Sequence, residues 1–172
     1  KAYGELLLPS YDESHPLEGR GFYDVSKSCT DLIARSYAVN GLDLAVVRAG
    51  NIYGPTDIDF SRVVPSFCRD LCRDKSPIIR SDGTPIRDYL YISDAVDAYE
   101  AVMQGLVSNA EKHRSKAYNF SGGEELTVLS LANRMINIWG RERGNPNWTA
   151  TPQIEGTRTG EIKRQVLNCH RA

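Results

Sequence analysis

The sequence predicts an α/β fold in which helices cover a parallel sheet. Helical periodicity runs from about Asp24 to Asn40, where apolar and small residues recur every three or four positions. Asn40 and Gly41 form a typical helix stop, and residues 42–47 are then apolar at nearly every position, as in a strand buried on both faces. A helix, a short link and a buried strand make up half of a βαβ unit, which favours parallel strands.

The other elements alternate in the same way. Residues 5–20 are predicted as loop, because prolines and glycines interrupt any period there. Three further helices are predicted, at residues 61–75, from a cap at Ser93 or Asp94 to about residue 106, and at residues 128–139 after a cap at Thr127. Four further strands are predicted, at residues 78–80, 87–92, 117–120 and 162–167, with loops at 108–116 and 140–160.

Composition excludes several classes of function. The 172 residues suggest one domain or a large piece of one, and 41% hydrophobic residues are enough for a core. A formal net charge of −1 argues against nucleic-acid binding and against a basic membrane patch, and no apolar run has the length of a membrane span. The four cysteines lack the paired spacing of a zinc site, so no metal is predicted, and reduced thiols in a cytoplasmic protein are expected.

The first candidate for chemistry is a tyrosine and a lysine, Tyr23 and Lys27, at the start of the first predicted helix. Residues four apart lie on one helix face, so the phenol and the ammonium can reach one pocket. A neighbouring ammonium favours the phenolate, which can then exchange a proton with a sugar hydroxyl. The same spacing also occurs in solvent-exposed helical pairs, so the pair alone does not define a site.

A second candidate segment follows the first predicted strand. Asn51 and its neighbouring glycines come directly after the strand, and Gly54-Pro55 ends the segment. In open α/β sheets, ligands bind beyond the carboxyl ends of the strands, which is where Asn51 is expected. A plain Gly-Pro turn would give the same pattern.

Five separated motifs occur in a fixed order along the chain. They are Lys1-Ala2-Tyr3-Gly4, Tyr23-x-x-x-Lys27, Arg48-x-x-Asn51-x-Tyr53-Gly54-Pro55, Gly83-x-x-x-Arg87-Asp88-Tyr89 and Tyr118-Asn119-Phe120-Ser121-Gly122-Gly123. This order resembles the extended short-chain dehydrogenase/reductase family that acts on nucleotide sugars, and it covers only the family's C-terminal half. The resemblance implies part of a Rossmann-like parallel sheet in residues 1–60. It also implies a smaller α/β substrate-binding lobe mainly in residues 61–172, some segments of which return to the main sheet.

Within this family the chain looks most like the sugar-nucleotide 4,6-dehydratases, and in particular the CDP-glucose branch. Three features carry this likeness: Lys1 before Ala2-Tyr3-Gly4, the segment 47–54 with 61–65 downstream, and the tail 167–172. Asn168 departs from the aspartate of that branch. The resemblance implies an NAD-dependent enzyme that oxidises C4 of the hexose, eliminates water across C5 and C6, and returns the hydride to C6.

The resemblance also implies catalytic roles. Tyr23 is expected to be the base at the C4 hydroxyl, with Lys27 binding the nicotinamide ribose of NAD. Lys1 matches the last position of the family's acid/base triplet for the elimination, whose Thr and Asp would precede residue 1. A disordered terminal lysine is the alternative for Lys1.

The expected substrate contacts come from five side chains. Arg87 resembles the diphosphate-binding arginine of the family, and its alternative is a structural ion pair with Asp88 or Asp94. The other expected contacts are Asn51, Arg62, Asn119 and Lys163, with Arg164 as an alternative to Lys163.

Two other functions stay open at this point. A 4-epimerase would use the same Tyr23 and Lys27 pair without Lys1, and a non-catalytic nucleotide-sugar-binding fragment would have lost the redox half. The sequence contains no Gly-x-x-Gly-x-x-Gly turn and opens at Lys1 as if leaving a strand. We therefore expect a piece of a longer NAD-binding protein that binds NAD poorly and does not turn over alone. A homodimer through helix 24–40 is also expected, although the apolar stripe of that helix would equally suit an ordinary core.

Overall fold

The computed structural model describes residues 1–157 and 161–172 and confirms the α/β fold. Five helices lie in these residues: α1 Phe22–Val39, α2 Val63–Cys72, α3 Ile92–Ser108, α4 Ala110–His113 and α5 Val128–Glu142. Eight strands lie there as well: β1 Val46–Ala49, β2 Asn51–Tyr53, β3 Ile78–Ile79, β4 Ile86–Tyr91, β5 Ala117–Phe120, β6 Glu125–Thr127, β7 Gln153–Ile154 and β8 Arg164–Gln165. β1 pairs with β5 and β3 with β7, while a third sheet has the order β2-β4-β6 with β8 also paired to β4.

The chain divides into two compact units. Unit 1 contains residues 1–52, 88–124 and 164–172, and unit 2 contains residues 53–87 and 125–163. The chain first passes from unit 1 to unit 2 after Ile52, within β2. Two later segments, residues 88–124 and 164–172, belong to unit 1 again.

Unit 1 is built around the parallel pair of β1 and β5. The register runs from Val46 opposite Ala117 to Ala49 opposite Phe120, and both α1 and α3 pack against β1. The strand predicted at 42–47 therefore begins later, at Val46. The ladder opens with the bond from the Val46 amide to the Lys116 carbonyl, 2.9 Å long, and Leu42 lies largely exposed before it.

The buried face of α1 is not the predicted apolar stripe. Its buried residues are Ser28, Asp31 and Ala38, whereas Leu32 and Tyr37 of the stripe are more than half exposed. Asp31 is buried because it has an ionic partner in unit 1, which a hydrophobicity pattern does not reveal. The helical period is therefore confirmed, and the stripe, which the sequence left open between core and interface, is largely exposed.

Unit 2 has a small core between α2, α5 and β3, in which Phe67, Leu71 and Ile79 are almost completely buried. β3 and β7 are parallel, with Ile78 opposite Gln153. The predicted cap of α5 is confirmed, because the Thr127 Oγ1 atom accepts a hydrogen bond of 2.9 Å from the Ser130 amide. This bond satisfies one of the amides that a helix start leaves without a partner.

Several boundaries differ from the prediction for local reasons. α2 ends at Cys72, because Asp74 adopts a left-handed backbone conformation that a helix cannot continue. α3 begins at Ile92, so Ser93 and Asp94 lie in its first turn and neither caps it.

Two predicted loops contain short elements. α4 interrupts the loop at 108–116, where the side chain of Asn109 caps it. β7 falls within the loop at 140–160, and residues 158–160 of that loop lie outside the described residues. Over the described ranges, no helix combines the length and the apolar character that a bilayer span requires.

Candidate active site

The predicted catalytic pair lies in the first two turns of α1. Gly21 precedes the helix in extended conformation, and Tyr23 and Lys27 follow on one face. The Lys27 Nζ atom lies 5.2 Å from the centre of the Tyr23 ring, which is a cation–π contact. Both side chains are exposed, Tyr23 to 62%. The phenol and the ammonium are thus close together and accessible to a ligand.

Lys1 lies beside the same helical turn. Its Nζ atom is 3.9 Å from Oδ1 of Asp24, the residue that follows Tyr23 in the chain. The hydroxyl of Ser28, also on α1, donates a hydrogen bond of 2.8 Å to the Ala2 carbonyl and so attaches the first residues to the helix. The structure therefore brings all three predicted catalytic residues to the beginning of α1.

A buried ion pair connects this helix to β1. The Arg48 guanidinium donates two hydrogen bonds to the carboxylate of Asp31, from Nε over 2.7 Å and from Nη2 over 2.9 Å. Arg48 is 8% exposed and Asp31 4% exposed, so water screens this pair very little. The sequence analysis named Arg48 only as part of the motif that contains Asn51, and it did not identify Asp31 as the ionic partner of Arg48. The available signal was a carboxylate four residues after Lys27 on the same helix face.

The third donor of Arg48 reaches the N-terminal segment. Its Nη1 atom donates a hydrogen bond of 2.7 Å to the Tyr3 hydroxyl, and the Tyr3 hydroxyl donates one of 2.8 Å to Oδ1 of Asn119. Burial raises the pKa of the Tyr3 phenol, so it stays protonated and can serve as this donor. Lys1, two residues before Tyr3, is therefore anchored through this phenol.

Asn119 is placed differently from the expectation. It is completely buried, and its Nδ2 atom donates hydrogen bonds to the carbonyls of Tyr11, over 2.9 Å, and Asn168, over 3.0 Å. The backbone amide of Asn119 donates to Oε1 of Glu13 over 2.7 Å. This environment does not support a direct substrate contact for Asn119. Its amide instead joins β5 to the N-terminal and C-terminal segments of unit 1.

Asn51 remains accessible in part at the start of β2. Its Nδ2 atom donates one hydrogen bond, of 3.2 Å, to the Asp88 carbonyl, and the side chain is half-buried. The preceding Gly50 packs directly against Asp88. A Cβ atom at Gly50 would lie 2.6 Å from Oδ1 of Asp88, which is too close for a side chain there. Asp88 is itself fixed by a 2.8 Å bond from the Leu167 amide, and burial raises the pKa of its carboxyl. Asn51 thus projects from a tightly packed turn and keeps a second amide hydrogen for a ligand.

The predicted diphosphate ligand, Arg87, lies in unit 2. Arg87 is 6% exposed, and its Nη2 atom lies 3.2 Å from Oε1 of Glu161. Its Nη1 atom donates a hydrogen bond of 2.8 Å to the Ile86 carbonyl. The ion pair that was the structural alternative for Arg87 therefore exists, but its partner is Glu161 and not Asp88 or Asp94. A phosphate group at Arg87 would have to replace or share this carboxylate.

The other predicted cations of unit 2 are more exposed. Arg62 precedes α2 and donates from Nη1 to Oδ2 of Asp57 over 2.7 Å. Lys163 is exposed, and its carbonyl accepts a 2.8 Å bond from the Ile86 amide, which places it beside the Arg87 strand. Its alternative, Arg164, is half-buried in unit 1, where its Nε atom donates to the Pro9 carbonyl over 2.6 Å.

Unit 2 also contains a small cavity that sequence reasoning did not identify. Polar atoms reach it from Ser61, Arg80, Ser81 and Glu161, and Phe67 and Ile79 supply part of its apolar wall. Glu161 is also the ionic partner of Arg87, so it connects that arginine to the cavity. Within residues 1–157 and 161–172, no cluster of three or more His, Cys, Asp or Glu side chains could hold a metal ion.

Comparison with known protein families identifies one match. The NAD dependent epimerase/dehydratase family matches residues 1–119, which is more than half of the chain. This region contains Lys1, the Tyr23 and Lys27 pair, Asn51 and Arg87.

Individual relatives include dehydratases and epimerases. The dTDP-glucose 4,6-dehydratase of Streptomyces antibioticus is 28% identical over 100% of this chain and 48% of its own length. The CDP-glucose 4,6-dehydratase of Salmonella typhimurium is 30% identical over 76% of this chain and 39% of its own length. The crystal structure of a UDP-glucose 4-epimerase from Thermotoga maritima has a TM-score of 0.81 and 26% identity, covering 99% of this chain and 52% of the epimerase. The chain thus spans about half the length of these relatives or less.

The Arg48–Asp31 pair makes a stability prediction. Arg48→Met should lower the free energy of unfolding by about 3–5 kcal/mol, because it leaves the Asp31 carboxylate buried without a partner. Arg114→Met is the matched control. Arg114 also donates two hydrogen bonds to one carboxylate, Asp43, but this pair is exposed, so the loss should be about 0–1 kcal/mol. Urea denaturation followed by circular dichroism measures both.

A double variant distinguishes the stability lost by leaving Asp31 unpaired from the stability lost with the packing of the Arg48 side chain. Replacing both partners, as Arg48→Met with Asp31→Leu, removes the unpaired charge and should recover most of the lost stability. Equal losses for Arg48→Met and Arg114→Met would show that burial does not strengthen the contribution of the Arg48–Asp31 pair.

Proposed function

Because the chain belongs to the NAD dependent epimerase/dehydratase family, we propose that it forms the catalytic helix and nucleotide-sugar contacts of an NAD-dependent nucleotide-sugar 4,6-dehydratase. The observation that carries this proposal is the 3.9 Å contact of Lys1 with Asp24, which follows Tyr23 in the first turn of α1. A dehydratase needs one acid/base group to oxidise C4 and a second one to eliminate water. Tyr23 and Lys1 are the candidates for these two groups.

Tyr23 is the proposed base for the first step. Its phenolate removes the proton of the C4 hydroxyl, and the nearby Lys27 ammonium stabilises the negative oxygen. Bound NAD would supply the hydride acceptor for C4 and the hydride donor for C6. Lys27 carries three N–H donors on an exposed, flexible chain, which suits hydrogen bonds to the ribose hydroxyls of this cofactor.

Lys1 is the proposed acid for the elimination. The ketone at C4 makes the C5 proton acidic. A base that is not among the residues assigned here takes this proton, and the C6 hydroxyl, protonated by Lys1, leaves as water. An ammonium group can donate a proton but cannot accept one, so Lys1 suits protonation of the leaving hydroxyl. The Asp24 carboxylate lies 3.9 Å from this ammonium.

Cationic and amide groups suit the nucleotide-sugar substrate. Arg87 is the proposed ligand of the diphosphate, because a guanidinium can form two parallel hydrogen bonds to phosphate oxygens. Arg62 and Lys163 add positive charge in unit 2, and Asn51 offers its second amide hydrogen in unit 1. Asn119 is left out of this set because it is buried and fully engaged.

CDP-glucose is the proposed substrate. The motif with Lys1 favours it, and a relative named CDP-glucose 4,6-dehydratase supports it. Relatives named dTDP-glucose 4,6-dehydratase are about equally similar, so the thymidine nucleotide is the main competitor.

The second candidate is a nucleotide-sugar 4-epimerase, which the similarity to an epimerase structure at a TM-score of 0.81 favours. An epimerase would use Tyr23 and Lys27 in the same way and would leave Lys1 without a catalytic role. A binding fragment without catalysis is the third candidate, and the exposed, well-placed Tyr23 and Lys27 pair counts against it.

Homodimerisation through α1 is part of the proposal. Leu32, Ile33 and Tyr37 are more than half exposed on this helix, so the stripe that sequence analysis left open between core and interface is on the surface. An exposed apolar helix face is typical of an interaction surface.

The catalytic proposal predicts that removal of the Tyr23 hydroxyl lowers kcat. Tyr23→Phe should lower kcat for CDP-glucose in the presence of NAD by about 10²–10⁴-fold, because no phenolate remains to accept the C4 proton. The assay uses the full-length protein of the gene from which this chain comes. Tyr37→Phe, an exposed tyrosine on the same helix, is the control and should have normal activity.

Mass spectrometry of the product separates the candidate reactions. A dehydratase product has lost one water and carries a 4-ketone, whereas a 4-epimer has the mass of the substrate. An active protein that forms only the epimer would refute the dehydratase. Full activity of Tyr23→Phe would refute the role of this tyrosine.

The diphosphate proposal predicts opposite effects for the two partners of one ion pair. Arg87→Gln should weaken CDP-glucose binding, measured by calorimetry, about tenfold or more, because a charge-assisted contact is lost. Glu161→Gln should leave binding unchanged or tighten it, because it removes the carboxylate that competes for Arg87. Arg73→Gln, an exposed arginine after α2, is the control. If both members of the pair weaken binding alike, Arg87 is structural.

The dimer proposal predicts a change in native mass. Leu32→Glu with Tyr37→Glu should convert a dimer to a monomer, because each charge would be buried in the interface without a partner. Light scattering coupled to size exclusion measures the mass, and Val107→Glu, an exposed apolar position on α3, is the control. A dimer that survives the double change would place the interface elsewhere.

A further inference from the structure

Unit 1 contains a second polar cavity, away from the residues assigned to catalysis. It has a volume of about 580 Å³ and is bounded by the later part of α1, segment 13–17, segment 114–117 and the C-terminal segment. We call it the basic cleft after the four cationic side chains that line it, which are Arg35, Arg114, Lys116 and Arg171. Lys1, Tyr23, Lys27 and Asn51 do not line it.

Two of the four cations have carboxylate partners. Arg114 donates both of its ion-pair hydrogen bonds to Oδ1 of Asp43, which does not line the cleft. The Nε atom of Arg171 lies 3.7 Å from Oε2 of Glu13, and its Nη1 atom donates to the Ala117 carbonyl over 3.3 Å. Glu13 is the only carboxylate in the cleft lining, and its other oxygen already accepts the Asn119 amide.

The other two cations, Arg35 and Lys116, have no carboxylate partner in the described part of the chain. The Nε–H group of Arg35 is buried and lacks a hydrogen-bond acceptor in that same part. Buried donors without acceptors are rare in proteins and call for an explanation, such as a ligand to which the side chain turns. The cleft therefore has more positive charge and more donors than its own residues use.

We propose that the basic cleft binds a small phosphorylated molecule through its phosphate group. Guanidinium groups match phosphate oxygens in geometry, and a concave surface of one charge concentrates ligands of the opposite charge. Its volume lies in the range of small-molecule sites, about 300–1,000 Å³, so there is room for an organic part beside the phosphate. Arg35 and Lys116 supply the two uncommitted cations, and Arg114 and Arg171 line the same space.

This inference does not depend on the proposed nucleotide-sugar contacts, but Leu32 of the proposed dimer stripe also lines the cleft. Every lining residue of the cleft belongs to unit 1, whereas Arg87, the proposed diphosphate ligand, belongs to unit 2. Variants of Arg87 therefore test the nucleotide-sugar contact without touching the cleft. Binding at the cleft and binding at Arg87 can therefore be tested separately.

The test is a titration of the 172-residue chain followed by NMR. The probes are inorganic phosphate, glucose 1-phosphate and adenosine monophosphate, with glucose as the uncharged control. The phosphate-bearing probes should shift the Ser115 and Lys116 amides and the Arg35 Nε–H signal to saturation, and glucose should not.

Matched variants locate the binding site. Arg35→Gln and Lys116→Gln should each weaken binding about tenfold or more, because each removes one charge-assisted contact. Lys112→Gln removes an exposed lysine of α4 that does not line the cleft, and it should leave binding unchanged. Backbone spectra of the variants verify that the fold is retained.

Three results would overturn the proposal. One is the absence of saturable shifts at millimolar probe. Another is an equal loss of affinity in Lys112→Gln, which would show general attraction to surface charge. The third is binding of inorganic phosphate that neither organic phosphate displaces, which would show an inorganic anion site and contradict the inference from cavity size.

Discussion

The arrangement of unit 1 depends on the buried guanidinium of Arg48. Its guanidinium donates three hydrogen bonds, two to Asp31 on α1 and one to Tyr3 near the N-terminus, while its own backbone belongs to β1. Removing this charge from water is costly, and the cost is offset only because the donors meet a carboxylate and a phenol at short distance. One side chain thereby fixes the helix that carries Tyr23, the segment that begins at Lys1 and the strand that leads to Asn51.

The same contacts explain why α1 has an unusual distribution of polarity. Its buried face contains Ser28 and Asp31, which bond to the N-terminal segment and to Arg48, and its apolar residues Leu32, Ile33 and Tyr37 face outwards. A helix held by apolar packing can slide or rotate at small energetic cost, whereas a forked ion pair accepts one orientation. Directional contacts of this kind hold the helix whose first turns present the Tyr23 phenol and the Lys27 ammonium side by side.

Sequence patterns predicted the order of elements well, and in places the boundaries. Residues 117–120 form a strand as predicted, and Thr127 caps α5, because both features depend on neighbouring residues. The inner face of α1, the burial of Asn119 and the partner of Arg87 were not predictable in this way. Each depends on residues far apart in the chain: Asp31 meets Arg48, Asn119 meets Tyr3, and Arg87 meets Glu161. Periodicity gives the spacing of a helix face, but tertiary contacts decide which face is buried.

The exposure of Tyr23 and Lys27 constrains how they can act. At about 4 Å, two unit charges attract by roughly 1 kcal/mol in water and roughly 4 kcal/mol at the lower effective dielectric of a protein surface. Charges at an exposed position therefore attract each other weakly until water is excluded. A bound nucleotide sugar and cofactor would exclude that water and so strengthen the influence of Lys27 on the phenol when a substrate hydroxyl is present. The contacts of Arg48 thus fix the position of the helix that carries Tyr23 and Lys27 before any ligand binds. Bound ligands would then exclude water and strengthen the electrostatic interaction between these two side chains.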